Sequence, residues 1–343
     1  MRRDPKLADR LRAVRGVDAE VLVTKDADEL REVAANAAAR EVSTVAILGG
    51  DGTASATLTA LWRAYGERPL PKIAFLRGGT MNTVASSIGI TQRAPLQLLE
   101  RAVCALADRT RLRTRARPVM AIGDRLGFLF GTGAWHGYIA ESYKDGQPTR
   151  MTNATVLGRA LASAAVQGET FTRILNATSL SVRFAEGGWE PRTYLTVAAG
   201  TVADAGFGFR PFHHALSTER AFQILALKGS AADVLRDLPR VWLGRGFTKH
   251  TAYDTVTTWA ELSAETGSFG YSVDGDVATA QGTLRLELGP VFDFLRIRHS
   301  ARATVNVAKS SESEGLRARR GRRRDQRRHE TQPQRGQLRH LAR

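Results

Sequence analysis

The segment Ser43–Thr53, STVAILGGDGT, decides the fold class. It opens with a mostly apolar run of strand length, which passes directly into Gly49-Gly50-Asp51-Gly52-Thr53. A helical pattern follows from Ala54 to Tyr65. A buried strand that runs into a glycine loop and then a helix is typical of a parallel sheet covered by helices.

The same arrangement recurs one unit later. Lys72–Leu76, KIAFL, predicts a second strand, and Gly78-Gly79-Thr80-Met81-Asn82 follows it. Because the carboxyl ends of neighbouring parallel strands meet at one edge of a sheet, we expect the two glycine loops to lie close together. Upstream, the pattern predicts a strand over 19–24 and a helix over 27–40.

The rest of the chain has a different pattern. From Arg113 to Val291 many short alternating segments are separated by glycine-rich turns, with helical stretches over 152–166 and 231–243. The fold class is therefore α/β, an N-terminal α/β/α parallel-sheet domain followed by a β-rich sandwich domain. We predict domains over 1–112 and 113–298, and a disordered basic tail over 299–343.

The charge distribution argues against a basic DNA-binding core. The formal net charge is +16, but residues 301–343 alone hold 13 Lys and Arg against 4 Asp and Glu. The remaining excess is spread over a large surface, so no specific nucleic-acid partner is expected. Three interpretations of the tail stay open: contact with an anionic membrane, nonspecific RNA binding, or a solvated end.

The cysteine count and the hydropathy of the chain predict its cellular compartment. A single cysteine, Cys104, excludes a disulfide within the chain, and no stretch reaches the roughly 18 apolar residues of a membrane span. These features predict a cytoplasmic protein that is soluble or peripheral at the inner membrane face. The sequence leaves a homodimer open.

The glycine loops are suited to binding phosphate groups. A glycine loop that enters a helix gives close access to backbone N–H donors and a favourable helix dipole. Asp51 lies inside the first loop, where a carboxylate repels phosphate unless it meets a metal ion, a water network or a hydroxyl. This favours Mg²⁺ and phosphoryl transfer. Neither loop has the Walker or the dinucleotide-binding pattern.

Three motifs together resemble one known family. GGDGT after an apolar strand, LRGGTMNTVA about thirty residues later, and Tyr271–Asp276, YSVDGD, resemble in order and spacing the diacylglycerol kinase catalytic-domain family of lipid kinases. NAD kinases share a GGDG loop and a similar architecture, but the second loop here has the Gly-Thr-x-Asn form of the lipid kinases.

The resemblance implies transfer of the γ-phosphoryl group of ATP, with Mg²⁺, to a lipid hydroxyl at the membrane surface, in phospholipid metabolism. The acceptor would be diacylglycerol, a sphingoid base or a related glycerolipid. It assigns the catalytic roles to Asp276 as general base, with Asp274 and Asp51 in the metal and water network, and a metal-ligand role to Glu219. The nucleotide site would comprise Thr24, Gly49, Gly50, Asp51, Gly52, Thr53, Gly79, Thr80 and Asn82. An Asp-Gly pair such as Asp274-Gly275 is also a strong hairpin-turn signal.

The chain departs from the family pattern at several positions. The sequence begins almost at the helix that follows the family's first strand and Asn-Pro phosphate loop, so either the natural start lies upstream or this strand and part of the loop are lacking. Ala54-Ser55-Ala56 replaces the usual pair containing Asn and Glu. Thr83 replaces an acid, Glu219 with Arg220 replaces Asp-Gly, and Asp276 stands where Glu is usual. Two alternatives therefore remain: a catalytically degenerate protein that binds nucleotide or lipid, and a relative of the NAD kinases.

Two further features of the sequence each have two interpretations. The aromatic residues Phe128, Phe130, Trp135 and Tyr138 either line an acyl cleft or pack in the core. His213-His214 suggests a metal site, but adjacent residues on a strand point to opposite faces and no further ligand follows at useful spacing. We interpret these histidines as surface or loop residues.

Overall fold

The computed structural model describes residues 6–14, 20–79, 83–87, 89–90, 94–107, 113–143, 177–206, 208–215 and 220–296. The predicted helix over 152–166, the predicted tail over 299–343 and three predicted site residues, Thr80, Asn82 and Glu219, lie outside the described residues.

The described helices are α1 (Leu7–Arg12), α2 (Ala27–Ala39), α3 (Asp51–Tyr65), α4 (Thr83–Ser87), α5 (Pro95–Ala107), α6 (Ala134–Tyr143) and α7 (Ala231–Trp242). The described strands are β1 (Thr44–Ile47), β2 (Lys72–Phe75), β3 (Thr114–Ile122), β4 (Arg125–Gly127), β5 (Leu129–Thr132), β6 (Thr178–Phe184), β7 (Gly187–Tyr194), β8 (Thr196–Gly200), β9 (Phe222–Leu227), β10 (Ala252–Thr257), β11 (Trp259–Val273) and β12 (Asp276–Leu295).

The first part of the chain forms the predicted parallel unit. Strands β1 and β2 pair in parallel, from Thr44 opposite Lys72 to Ile47 opposite Phe75. Helix α3 begins at Asp51, three residues before the predicted start, because only Leu48, Gly49 and Gly50 lie between β1 and the first helical turn. Both strands and helix α2 lie where the pattern predicts them.

The predicted strand over 19–24 is wrong for its described residues. Residues 20–25 form no strand, and the side chains of Leu22 and Val23 are about half exposed. Their alternating apolar pattern gives a strand propensity, but propensity becomes a strand only where a neighbouring strand offers hydrogen bonds. In the described structure, β1 lies at one end of the strand order and pairs with β2.

The second part is rich in antiparallel strands. The main path of the sheet runs β1-β2-β12-β11-β5-β8-β9-β10, with β3, β4, β6 and β7 branching from it. Strand β12 pairs antiparallel with β11 and β3, and at Phe294 it meets Ile73 of β2 in parallel. This confirms the mixed α/β class with a strand-rich second part. The predicted domain boundary between 112 and 113 stays a prediction.

The aromatic packing around β12 joins the parallel strands to the antiparallel ones. The rings of Phe75 and Phe294 stack with centroids 5.3 Å apart, and Phe128 lies 6.1 Å from Phe294. Phe294 and Phe128 are fully buried. The edge of the sheet that carries the glycine loops is thus supported by side chains from both parts of the chain.

Within the described ranges, no helix is both long enough and apolar enough to cross a membrane.

Candidate active site

The two glycine loops contact each other through their backbones. The Gly78 N–H donates to the Gly49 carbonyl at 2.9 Å. A Cβ added to Gly50 would lie 3.2 Å from the Gly79 Cα, and one added to Gly78 would lie 3.1 Å from the Gly49 nitrogen. Both distances are shorter than ordinary contacts of a Cβ. Glycine is therefore what lets the loops after β1 and β2 approach so closely.

The N-terminus of α3 opens directly from the first loop. Its N-cap is Gly50, which has no side chain to accept from the first-turn N–H groups. A Cβ on Gly49 would overlap the Thr53 side chain, so this loop also lies flat against the helix start. Unsatisfied N–H donors and the positive end of the helix dipole together favour an anion here.

Asp51 is the first residue of α3, and its side chain reaches the start of α4. Its carboxylate accepts from the backbone N–H groups of Thr83 and Val84 at 3.0 and 3.1 Å. Burial raises the pKa of Asp51, and these hydrogen bonds, the Thr83 hydroxyl and the charge of Arg77 oppose that rise only in part. Thr83 replaces the family's acid, so a hydroxyl donor stands where a second carboxylate would repel Asp51.

Asp274 forms the turn between β11 and β12 and also points inward. Asp274 and Gly275 have φ values of +50° and +96°, as the Asp-Gly hairpin signal predicts. The carboxylate accepts from the N–H groups of Phe128 at 3.0 Å and Leu129 at 2.9 Å. Burial raises the pKa of Asp274 to about 7, and the nearby charge of Asp51 adds to the rise. The turn interpretation and the site interpretation therefore apply to the same residue.

Asp51 and Asp274 form a pair of buried carboxylates whose negative charges repel each other. The charge of Asp51 raises the pKa of Asp274, while the guanidinium groups of Arg77 and Arg125 lower the pKa of Asp51 and Asp274 respectively. Carboxylate oxygens are the hard donors that Mg²⁺ prefers, and a divalent cation would relieve this repulsion. The residues present fit Mg²⁺.

Asp276 lies at the start of β12 against the glycine loop. Its Oδ2 accepts from Arg125 Nη2 at 2.9 Å, and a Cβ on Gly52 would lie 3.2 Å from its Oδ1. About half of the side chain is exposed, at 51%. Burial and the charge of Asp276 raise the pKa of Tyr143 at the end of α6, so this phenol lies near the same carboxylate.

The sequence match agrees with this geometry. Residues 2–112 match the family model of the diacylglycerol kinase catalytic domain. This match contains both glycine loops and confirms the resemblance that the motifs predict.

Solved structures share the fold over most of the chain. A crystal structure of a diacylglycerol kinase from Bacillus anthracis str. Sterne superposes with a TM-score of 0.56 at 14% identity, covering 85% of this chain and 88% of that chain. Two further structures from the same organism, with the same coverage, give TM-scores of 0.59 at 14% and 0.58 at 13% identity. At this identity the likeness shows the fold. No curated protein sequence gives a significant match.

The site also contains residues that the motifs did not indicate. Arg125 and Tyr143 contact or lie near Asp276 but carry no sequence signal. Ser55, a departure from the family motif, donates its hydroxyl to the Leu126 carbonyl, and Thr59 Oγ1 accepts from the Leu126 N–H at 2.9 Å. In the sequence, only the departure from the family motif at Ser55 marked one of these residues. The structure shows that this polar side chain is fully buried.

Not all of the side chains singled out in the sequence lie at the site. Thr24 is exposed, on the segment before α2 that forms no strand. Phe128 and Phe130 are fully buried and pack in the core, whereas Trp135 and Tyr138 on α6 are partly buried.

Proposed function

We propose that the protein is a lipid kinase that transfers the γ-phosphoryl group of ATP to a lipid hydroxyl. One observation carries the proposal: Asp276 Oδ1 lies over Gly52, at the N-terminus of α3, where the two glycine loops meet. A carboxylate beside a backbone phosphate cradle is the arrangement that phosphoryl transfer to an alcohol requires.

Nucleotide binding uses the backbone of the loops. The N–H groups at the start of α3 and around Gly79 bind phosphate oxygens of ATP, with Thr53, Thr80 and Asn82 as further contacts proposed from the family motif. Asp51 and Asp274 hold Mg²⁺ beside these phosphates, with Glu219 as an additional ligand. When bound, Mg²⁺ neutralises charge on the transferring phosphoryl group.

Asp276 acts as the general base. Arg125 fixes Oδ2, which leaves Oδ1 on the side of Gly52. There Oδ1 takes the proton of the acceptor hydroxyl as the hydroxyl oxygen bonds to the γ-phosphorus and the bond from phosphorus to the β-phosphate oxygen breaks. ADP leaves, and the lipid phosphate carries the new ester bond. Arg125 is a positioning residue in this scheme.

The acceptor is a lipid with a free hydroxyl, of the diacylglycerol or sphingoid type. Helix α6, which packs against β11 and carries Tyr143 near Asp276, is the described element best placed to contact it. We place the reaction at the cytoplasmic face of an anionic membrane, where the basic residues beyond 298 would attract the protein. A homodimer remains part of the proposal.

The test is an acceptor panel. Full-length protein is incubated with γ-labelled ATP, Mg²⁺ and mixed micelles that contain diacylglycerol, monoacylglycerol or a sphingoid base, and a separate reaction contains NAD⁺. Label should appear in a lipid product. Asp51→Asn should reduce it at least 100-fold, whereas Asp233→Asn, which alters a comparable capping carboxylate at α7, should retain activity.

The other outcomes are equally specific. Label transferred to NAD⁺ alone would identify an NAD kinase relative. Tight ATP binding with no product from any acceptor or bacterial lipid extract would identify a degenerate binding protein. Either result overturns the proposed function.

A further inference from the structure

A second cluster of ligand-type side chains lies outside the candidate active site. His213 and His214 occupy a turn after Pro211, and Asp254 lies on β10. One ligand atom from each residue lies within 4.8 Å of the others. The third ligand that the sequence spacing did not supply thus comes from a strand about forty residues away, and the histidines lie in a turn where both rings can face it.

His213 has a buried nitrogen without a satisfied hydrogen bond. Its Nδ1 is inaccessible to solvent and has no hydrogen-bond partner among the described residues. The nearest carboxylate atom, Asp254 Oδ2, lies 3.9 Å away, too far for a hydrogen bond. A Cβ on Gly246 would lie 2.6 Å from this nitrogen, so the ring is held closely against the backbone. A buried nitrogen of this kind calls for a ligand.

A fully buried glutamine positions the other two groups. Gln223 on β9 donates from Nε2 to both Asp254 oxygens at 2.8 and 2.9 Å. Its Oε1 accepts from the His214 backbone N–H at 2.7 Å. One amide therefore orients the carboxylate on β10 and the turn that carries both imidazoles. Such outer hydrogen bonds are typical of the support that metal ligands receive.

We propose that His213, His214 and Asp254 bind a Zn²⁺ ion. Two imidazoles and one carboxylate are a donor set that Zn²⁺ favours, with a water molecule in the fourth position. Ligand atoms about 2.1 Å from a tetrahedral Zn²⁺ lie roughly 3.4 Å from one another. The three ligand atoms here lie within 4.8 Å of one another, so binding one ion would bring them closer together. Mg²⁺, which prefers oxygen donors, belongs at Asp51 and Asp274 instead.

The ion would join the turn at 213–214 to β10. It would stabilise this edge of the sheet without contacting ATP or the acceptor, so the inference does not depend on the proposed function. Its test therefore measures metal binding and not lipid phosphorylation.

The experiment uses the full-length protein, freed of metal with a chelator. Zn²⁺ affinity is measured by competition with a chromogenic chelator, and Co²⁺ is added separately to detect the visible absorption bands of a tetrahedral site. Wild type should bind one equivalent of tightly held Zn²⁺. Asp254→Asn and His213→Gln should each weaken binding at least tenfold and reduce the Co²⁺ bands.

A matched histidine provides the control. His250 Nε2 lies 3.7 Å from Asp233 Oδ2, which is a similar distance between an imidazole and a carboxylate. Among the described residues, neither His250 nor Asp233 belongs to a group of three potential metal ligands. His250→Gln should bind Zn²⁺ as wild type does. His214→Gln, at an exposed position, serves as a second ligand variant, and circular dichroism verifies that each variant is folded.

Two results would overturn the inference. Wild type that binds Zn²⁺ no more tightly than the Asp254→Asn protein would exclude this carboxylate as a ligand. Loss of binding in His250→Gln, with retention in His213→Gln and His214→Gln, would place the ion elsewhere.

Discussion

Gly52 and Asp276 come from opposite ends of the described chain and meet at the N-terminus of α3. The Asp276 Oδ1 occupies the space beside the Gly52 Cα, and a methyl group there would come within 3.2 Å of this oxygen. Gly52 has no positive φ, so the backbone itself does not require glycine at this position. The need for glycine at position 52 comes instead from the Asp276 carboxylate, which fills the space that a side chain would occupy.

Gly52→Ala should therefore separate activity from stability. Alanine suits a helix better than glycine, so the free energy of unfolding should stay within about 1 kcal/mol of wild type or rise. The new methyl group should displace Asp276 and lower kcat for lipid phosphorylation at least tenfold. Kinetics and denaturant unfolding of the same preparation measure both effects; unchanged kcat would contradict the placement of Asp276 as the base.

Protonation of Asp274 makes the stability of the folded protein depend on pH. Its carboxyl is buried with a pKa of about 7, against 3.8 for an unperturbed aspartate. The folded protein therefore holds this proton between about pH 4 and pH 7, where the unfolded chain has released it. The resulting stabilisation is fully present below pH 4 and is lost as the pH rises through 7.

Asp274→Asn should remove this pH dependence. Asparagine tolerates the left-handed φ of +50° and keeps an acceptor for the N–H groups of Phe128 and Leu129. Without Mg²⁺, the free energy of unfolding of wild type should fall relative to the variant between pH 4 and pH 7, by up to a few kcal/mol at about 1.4 kcal/mol per pKa unit. Parallel curves for the two proteins would show that Asp274 is not a buried acid.

At the scale of elements, α3 is fixed to β4 by two hydroxyl groups. Ser55 donates to the Leu126 carbonyl, and Thr59 accepts from the N–H of the same residue. Both bonds satisfy the backbone of a short strand, and β4 also carries Arg125, which holds Asp276. The replacement of the family's usual residues by Ser55 thus has a structural reason in this chain.

Ser55→Ala should destabilise the protein by about 1–3 kcal/mol, because the buried Leu126 carbonyl loses a donor. Thr57→Ala is the matched control: its exposed hydroxyl donates to the Thr53 carbonyl within the same helix. That variant should change the free energy of unfolding by less than about 0.5 kcal/mol. Equal effects of the two substitutions in urea denaturation would contradict the role of Ser55.

The elements also show what the sequence can predict. Local patterns were sufficient for β1, β2, α2 and α7, and for the turn at Asp274-Gly275, because each depends on residues close in the chain. The failed strand before α2 depends on a partner strand, which a local pattern does not contain. The Arg125–Asp276 ion pair joins residues 151 positions apart, so only the folded chain brings it together.

At the scale of the whole molecule, β12 joins the parallel and antiparallel strands. Its first residue is Asp276 at the site, and near its other end Phe294 pairs with Ile73 and stacks on Phe75. The described residues belong to one compact unit, Met1–Ile297. Residues of β2 and of the end of β12 share one core cluster, which predicts that the parallel strands do not unfold separately from the strand-rich part.

Hydrogen exchange tests this cooperativity. Peptides from β2 and from β11 and β12 should open with the same free energy, within about 1 kcal/mol. Peptides over 20–25, where Leu22 and Val23 are exposed, should exchange quickly and provide the internal control. Much faster exchange of β1 and β2 than of β12 would show two independently stable domains.

Transfer of the labelled γ-phosphate from ATP into the lipid phase tests the assignment of the active site. With Mg²⁺ and diacylglycerol or sphingoid micelles, wild type is expected to produce labelled lipid, Asp276→Asn at least 100-fold less, and Asp233→Asn as much as wild type. Absence of labelled lipid from folded, ATP-binding wild type, or equal amounts from wild type and Asp276→Asn, would contradict the assignment of this site as a lipid kinase active site.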